Sequence, residues 1–208
     1  MIQEGKKELV LGEGEYRVEK GDLGGYNNKY FVLSKPTKIY GQGRGKTTLV
    51  GVSLLIKGKK NDGIVEIEDL TLRGATANGL QVYKGMKARV RGCTVSESEY
   101  SGVVADEADI TCDDLQVVGC GQNGVWAYKN ATITLSGQGT SIQRNGTRGS
   151  SNDYGLHAEF NTSKIQLFAP LTKEQISTNS GGGRNWGGRG AGNYIVGEEI
   201  GFNCYILN

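Results

Sequence analysis

The sequence predicts an all-β chain wound as a single-stranded parallel β-helix, with three short strands in each coil of about 23 residues and a cap at either end. Three observations carry that reading. Apolar columns recur at a fixed interval. Within each interval they come as i, i+2 pairs, the pattern of strands with one buried face. Glycine is in excess, and no stretch of about a dozen helical residues interrupts the pattern. Glycine supplies 34 of 208 residues and proline only 2. A helical bundle is excluded, because an interior glycine costs about 1 kcal/mol relative to alanine. Without a G-X-Y period, collagen is excluded as well. Hydrophobic residues make up 37% of the chain, enough for a core.

The columns fix the register. Val65 recurs as Ala88, Ile110, Ile133 and, after an insertion, Ile165; Ile67 recurs as Val90, Cys112, Leu135 and Leu167. Leu70 recurs as Cys93 and Leu115, and Leu72 as Val95 and Val117. Leu80 becomes Val103, Val125 and Leu156, while Val82 becomes Ala105, Ala127 and Ala158. Three pairs per interval mean three strands per coil. Glycines mark two of the joints: Gly74, Gly92 and Gly119 near one, Gly79, Gly102, Gly124 and Gly155 at the other. Both sets read as corners where the chain takes positive φ.

The chain reads as one domain over residues 1–208. Residues 1–34 form an N-terminal cap and first coil, 35–167 the regular coils, and 168–208 a C-terminal cap. That last segment holds the glycine tract Ser180–Asn193. An open solenoid end exposes a strand edge and needs covering.

The segment KPTKIYGQGRGKTTLVG, Lys35 to Gly51, followed by VEIEDLTLRG and NGLQVYKG, resembles the pectate-lyase-like superfamily. The resemblance covers roughly residues 10–170 and implies a right-handed winding, in line with the general rule for parallel crossovers. It implies no single activity, since that superfamily holds lyases, hydrolases, esterases, epimerases and adhesins. No catalytic motif is carried over. Lyases of the superfamily use calcium-binding acids with a basic residue, a set that Asp106, Asp109, Asp113 and Asp114 with Arg89 and Arg91 imitate. Asp109 and Asp113 already have basic neighbours one coil away, so no metal residue and no cofactor is assigned, calcium being the weaker alternative.

The same segment imitates a phosphate-binding loop. GQGRGKTT fails the G-x-x-x-x-G-K-[ST] pattern because Tyr40 stands where the first glycine is required. The residues that follow alternate like a strand. Net charge is +2, which demands no polyanionic partner. GGGRNWGGRGAG offers Arg184, Trp186 and Arg189 to nucleic acid, but a capping loop explains the tract equally well, so nucleic acid is not the expected partner. No run approaches eighteen apolar residues, so no membrane partner is expected. The N-terminus lacks the apolar core of a signal peptide, so an extracellular location would require a signal already removed, and the compartment stays open. Cys93 and Cys112 read as small core residues and Cys204 as the free thiol. Sequons begin at Asn130, Asn145 and Asn161.

Outward side chains of aligned strands form ladders about 4.8 Å apart. Gln81, Val104, Trp126 and His157 make one outward column; Tyr83, Asp106, Tyr128 and Glu159 make the next. Aromatic rings offer flat apolar surfaces to sugar rings, and carboxylates bond hydroxyls or act as acid and base. Gln81, Tyr83, Trp126 and Tyr128 are therefore ligand-binding candidates, joined by Arg144 and Arg148 from the insertion Thr140–Asp153. Asp106, His157 and Glu159 are catalytic candidates. Asp106 and Glu159 lie two ladder steps apart, about 10 Å, a spacing nearer to that of an inverting glycosidase pair. A second face, with Glu66, Arg89, Thr111, Thr134 and Gln166 beside Glu68, Arg91, Asp113 and Ser136, reads as alternating charges in structural ladders.

The leading function is a β-helix protein that binds polysaccharide and is a candidate to cleave it. The alternative is a non-enzymatic structural or adhesion module, a surface or virion component capable of oligomerising. A groove walled beside Trp126 favours the first; a flat prism favours the second.

Overall fold

The computed structural model describes residues 8–17, 30–59, 62–178, 183–188 and 194–198. It is a parallel β-helix. Three sheets run the length of the solenoid, with eight, seven and seven strands among the described residues. Sheet A runs from Glu8–Val10 to Tyr194–Glu198, sheet B from Gly14–Arg17 to Ser177–Thr178, and sheet C from Tyr30–Leu33 to Arg184–Gly187. Each coil contributes one strand to each sheet, so the described residues make seven coils and open an eighth. Residues 1–7 and 18–29 of the expected N-terminal cap lie outside the described residues.

The register is the one the apolar columns predict. In sheet A, Val65 pairs with Ala88, Ala88 with Ile110, Ile110 with Ile133 and Ile133 with Ile165. In sheet C, Leu80, Val103, Val125 and Leu156 are successive partners. Alternation sends these columns inward, where Val65, Ile133, Leu135 and Val125 are fully buried. Leu70, Cys93 and Leu115 fill the corner between sheets A and B. Burial pushes the Cys93 thiol up to about 12 and the Cys120 thiol to about 11, and raises Cys112 as well. These cysteines are core residues that do not ionise near neutral pH; Cys204 lies outside the described residues.

The coils do not stop at Leu167. Ser177–Thr178, Arg184–Gly187 and Tyr194–Glu198 each add a further parallel strand to their sheets. The side-chain period fails there because extra residues, including a helical turn at Lys173–Ile176 capped by the Thr172 side chain, are looped out between strands. Parallel pairing is made by backbone groups and continues without a repeat in the side chains. Of the glycine tract, residues 183–188 are described. Trp186 packs against the core with Lys173 Nζ 5.1 Å from its ring centre. Arg189 lies outside the described residues.

The two glycine sets do different work from each other. Gly74, Gly92 and Gly119 do take positive φ, but at two different corners, since Gly92 follows a strand of sheet A and the other two follow strands of sheet B. Gly79, Gly102 and Gly124 do not have positive φ. A Cβ on Gly102 would sit 2.8 Å from the Gly124 carbonyl oxygen and against Val117 Cγ1; one on Gly124 would sit 2.7 Å from the Gly155 carbonyl oxygen. That column is glycine for space. Side chains can also take the left-handed corner positions: Asp69, Asp114, Glu97 and Arg144 do so with φ between 51° and 56°.

The GQGRGK segment forms one such corner and acts as a brace. Arg44 Nε donates to the Gly92 carbonyl at 3.3 Å and Nη2 to the Asp114 carbonyl, reaching across later coils. The Gly45 amide donates to Thr71 Oγ1 at 3.2 Å. These three donors are spent on the protein's own oxygens.

Candidate functional site

Sheet C places the candidate residues as the register requires. Gln81, Val104, Trp126 and His157 are consecutive partners, as are Tyr83, Asp106, Tyr128 and Glu159. Exposure does not follow from alternation alone. Val104 is 2% exposed and His157 4% exposed, though both lie in an outward column. His157 is covered by its ring neighbours, Trp126 stacked at 5.7 Å and Tyr154 tilted at 4.8 Å. Further rings continue the row: Tyr128 lies 5.1 Å from Trp126, and Phe160 lies 5.3 Å from Tyr128.

Trp126 is held from two sides. Its ring lies 10° from parallel to His157 on the next strand, so one face is turned along the solenoid. Its Nε1–H donates to Glu159 Oε2 at 3.1 Å. Asn123 Oδ1 accepts the Tyr154 amide at 2.9 Å and lies 3.1 Å from His157 Nδ1. An oxygen that already accepts can only accept again, so His157 Nδ1 carries a proton and donates it to Asn123.

Around these groups lies a pocket of about 220 Å³, lined by Gln122, Asn123, Trp126, Asn152, Asp153, His157 and Glu159. The insertion supplies its wall through Asn152 and Asp153. Of the residues the ladder columns nominate, Trp126, His157 and Glu159 meet here. Gln81 and Tyr83 lie two strands away, Gln81 accepting from Asn78 Nδ2 at 3.1 Å and Tyr83 under Lys84 Nζ at 5.2 Å. Arg144 takes a corner position and is exposed. Arg148 reaches back over the Tyr100 ring at 4.7 Å and does not line the pocket.

Two carboxyl groups have raised pKa values. Burial raises Asp106 most, with Lys129 and Lys84 pulling the other way and Glu107 adding to the rise. Burial also raises Asp153, opposed by Arg148. Asp106 Oδ1 and Asp153 Oδ2 are buried with no hydrogen-bond partner among the described residues. A carboxyl whose folded-state pKa is raised contributes stability fully present below its unfolded pKa of about 3.9, lost as pH rises through the folded value. Asp106→Asn is therefore expected to be more stable than wild type at pH 7, with the gain vanishing near pH 3. Urea titrations across that range check it; a gain that persists at pH 3 would refute the assignment to charge burial.

Outward columns alone do not reveal Asp153 and Asn123, because both sit in corner segments before a strand. Asn123–Gly124 repeats Asn78–Gly79, whose asparagine Oδ1 likewise accepts an amide one coil on, from Ser101 at 3.0 Å. That recurrence is the signal available in the chain.

A larger depression, about 340 Å³, lies on sheet A among Lys87, Arg89, Asp109, Thr111, Thr134 and neighbours. It is the floor of a sheet, and most of its charges are paired: Lys87 with Asp109 at 3.7 Å and Arg89 with Glu66 at 3.8 Å, Glu66 also with Lys38 at 3.2 Å. Exposed pairs of this kind contribute about 0–1 kcal/mol each. Asp113 and Asp114 are likewise engaged, by Ser136 Oγ at 3.0 Å and the Gly139 amide at 2.7 Å. Among the described residues, no group of three or more His, Cys, Asp or Glu side chains is placed to hold a metal ion. No helix among them is long and apolar enough to cross a membrane.

Comparison with known proteins bears on the winding. The A-module of the mannuronan C-5 epimerase AlgE4 from Azotobacter vinelandii is a similar solved structure, 13% identical, with a TM-score of 0.37 over 94% of this chain and 87% of that one. So distant a likeness carries no chemistry across. No curated protein matches the chain. The family model described as the right-handed beta helix region matches residues 52–166, more than half the chain. The chain belongs to the right-handed β-helix family.

Proposed function

We propose that the outer face of sheet C binds a polysaccharide, with one sugar residue entering the pocket beside Trp126. The observation that carries this reading is the pocket itself, walled on one side by the insertion and floored by Trp126, His157 and Glu159. A flat prism would present only strand surface there. The groups are of the kind that hold sugars: an indole with apolar surface, and carboxyl and amide side chains that bond hydroxyls. The exposed ring of Phe160 and the half-buried ring of Tyr128 extend the platform beyond the pocket.

A glycan array followed by calorimetry on the hits tests the proposal. Trp126→Ala is expected to weaken the best ligand at least tenfold, with the circular dichroism spectrum unchanged. Assays for new reducing ends and for unsaturated ends then show whether the bound chain is also cut, with Asp106, His157 and Glu159 as the groups to substitute. Silence across the array, or full affinity in the variant, would instead favour the structural or adhesion module.

A further inference from the structure

The pocket has a charge character that narrows what it accepts. Among the described residues it is lined by two carboxyl side chains, Asp153 and Glu159, and by no lysine or arginine. Asp153 is 7% exposed, and its Oδ2 has no hydrogen-bond partner among the described residues. A buried polar atom without a partner is costly, and the described surroundings supply none. A hydroxyl arriving in the pocket would supply one. Glu159 spends one lone pair on the Trp126 Nε1–H, and an ionised carboxylate has about four such acceptor sites. Arg148, the cation felt at Asp153, is stacked over the Tyr100 ring and exposed.

We infer that this pocket selects an uncharged sugar residue, held by hydroxyls on Asp153 and Glu159 with Trp126 against its C–H surface, and rejects residues that bear a carboxylate or sulfate. The inference rests on the polysaccharide reading and sharpens it. A ligand hydroxyl can donate to Glu159 and either donate to or accept from Asp153, whose carboxyl is pushed by burial toward its protonated form. A ligand anion in this open space of about 220 Å³ would lie close to the Glu159 carboxylate, with no lysine or arginine among the described lining residues to offset it.

Calorimetry on the full chain, with hexasaccharides in two matched panels, tests this. One panel is neutral (gluco-, manno-, galacto- and xylo-oligosaccharides) and the other uronate (galacturonate, mannuronate and guluronate). At least one neutral oligosaccharide is expected to bind ten times more tightly than any uronate. Asp153→Asn is expected to weaken that ligand, and Glu159→Gln to raise uronate affinity at least threefold; urea melts verify that both variants fold. Uronates bound as tightly as neutral sugars, still dependent on Trp126, would overturn the charge preference while leaving the polysaccharide site standing. No binding in either panel would overturn both.

Discussion

Leu135→Ala is expected to lower the free energy of unfolding by about 3–5 kcal/mol, the range for emptying a leucine site whose surroundings cannot close over it. Leu135 is fully buried, and its strand pairs on both sides, with Cys112 at one partner position and Leu167 at the other. The neighbours have little freedom to move in. Each coil's strand is fixed by backbone bonds to the coils above and below, so a side chain can lean but the main chain cannot shift toward the hole. A solenoid also depends on each coil contacting only its neighbours, so damage at one coil weakens two interfaces. Urea denaturation followed by circular dichroism measures the effect. A loss below about 1 kcal/mol would show that the column repacks, contrary to the density of interiors of this kind.

Gly102→Ala is expected to cost about 2–3 kcal/mol, the upper part of the range for forcing extra volume into a packed site. The added methyl would press on Val117 Cγ1 and on the Gly124 carbonyl oxygen at 2.8 Å. Relief by backbone movement is blocked, because Gly124 belongs to the same column and is equally confined by Ile142 and the Gly155 carbonyl. Gly74→Ala is the control. At Gly74 φ is +65° and nothing lies within 4 Å of an added Cβ, so only the left-handed conformation is penalised, by about 1 kcal/mol. If the two substitutions cost the same, or Gly74→Ala costs more, backbone conformation rather than space explains the glycine columns.

How much of this is legible from residues alone varies by element. The register of sheets A and C is, because alternation of period two and a repeat near 23 leave one pairing that buries Val65, Ile110 and Ile133 together. The glycine column Gly79, Gly102 and Gly124 suggests positive φ and instead serves close approach, since a sequence shows that a position is small but not what stands opposite it. The continuation of the coils through Ser177–Thr178 and Arg184–Gly187 is hidden, because backbone pairing leaves no side-chain period when the connecting segments lengthen. The candidate face is legible as columns: Trp126, His157 and Glu159 come together as the ladder requires. Arg148 is near them in sequence position, but its side chain takes the Tyr100 ring instead.

By itself, then, the sequence determined the stacking of parallel coils, the inward columns and the order of residues along each ladder, because these follow from local periodicity and the geometry of a strand. Tertiary structure alone decided which outward residues are covered, why one glycine column must stay glycine, and where the pocket lies. Those depend on distances between segments that meet only after the chain has wound. Asp153 shows the difference: it is a corner residue at the end of an insertion until the strand Tyr154–Glu159 docks beside Val125–Tyr128, and only then does its carboxyl line a pocket with Glu159 and Trp126.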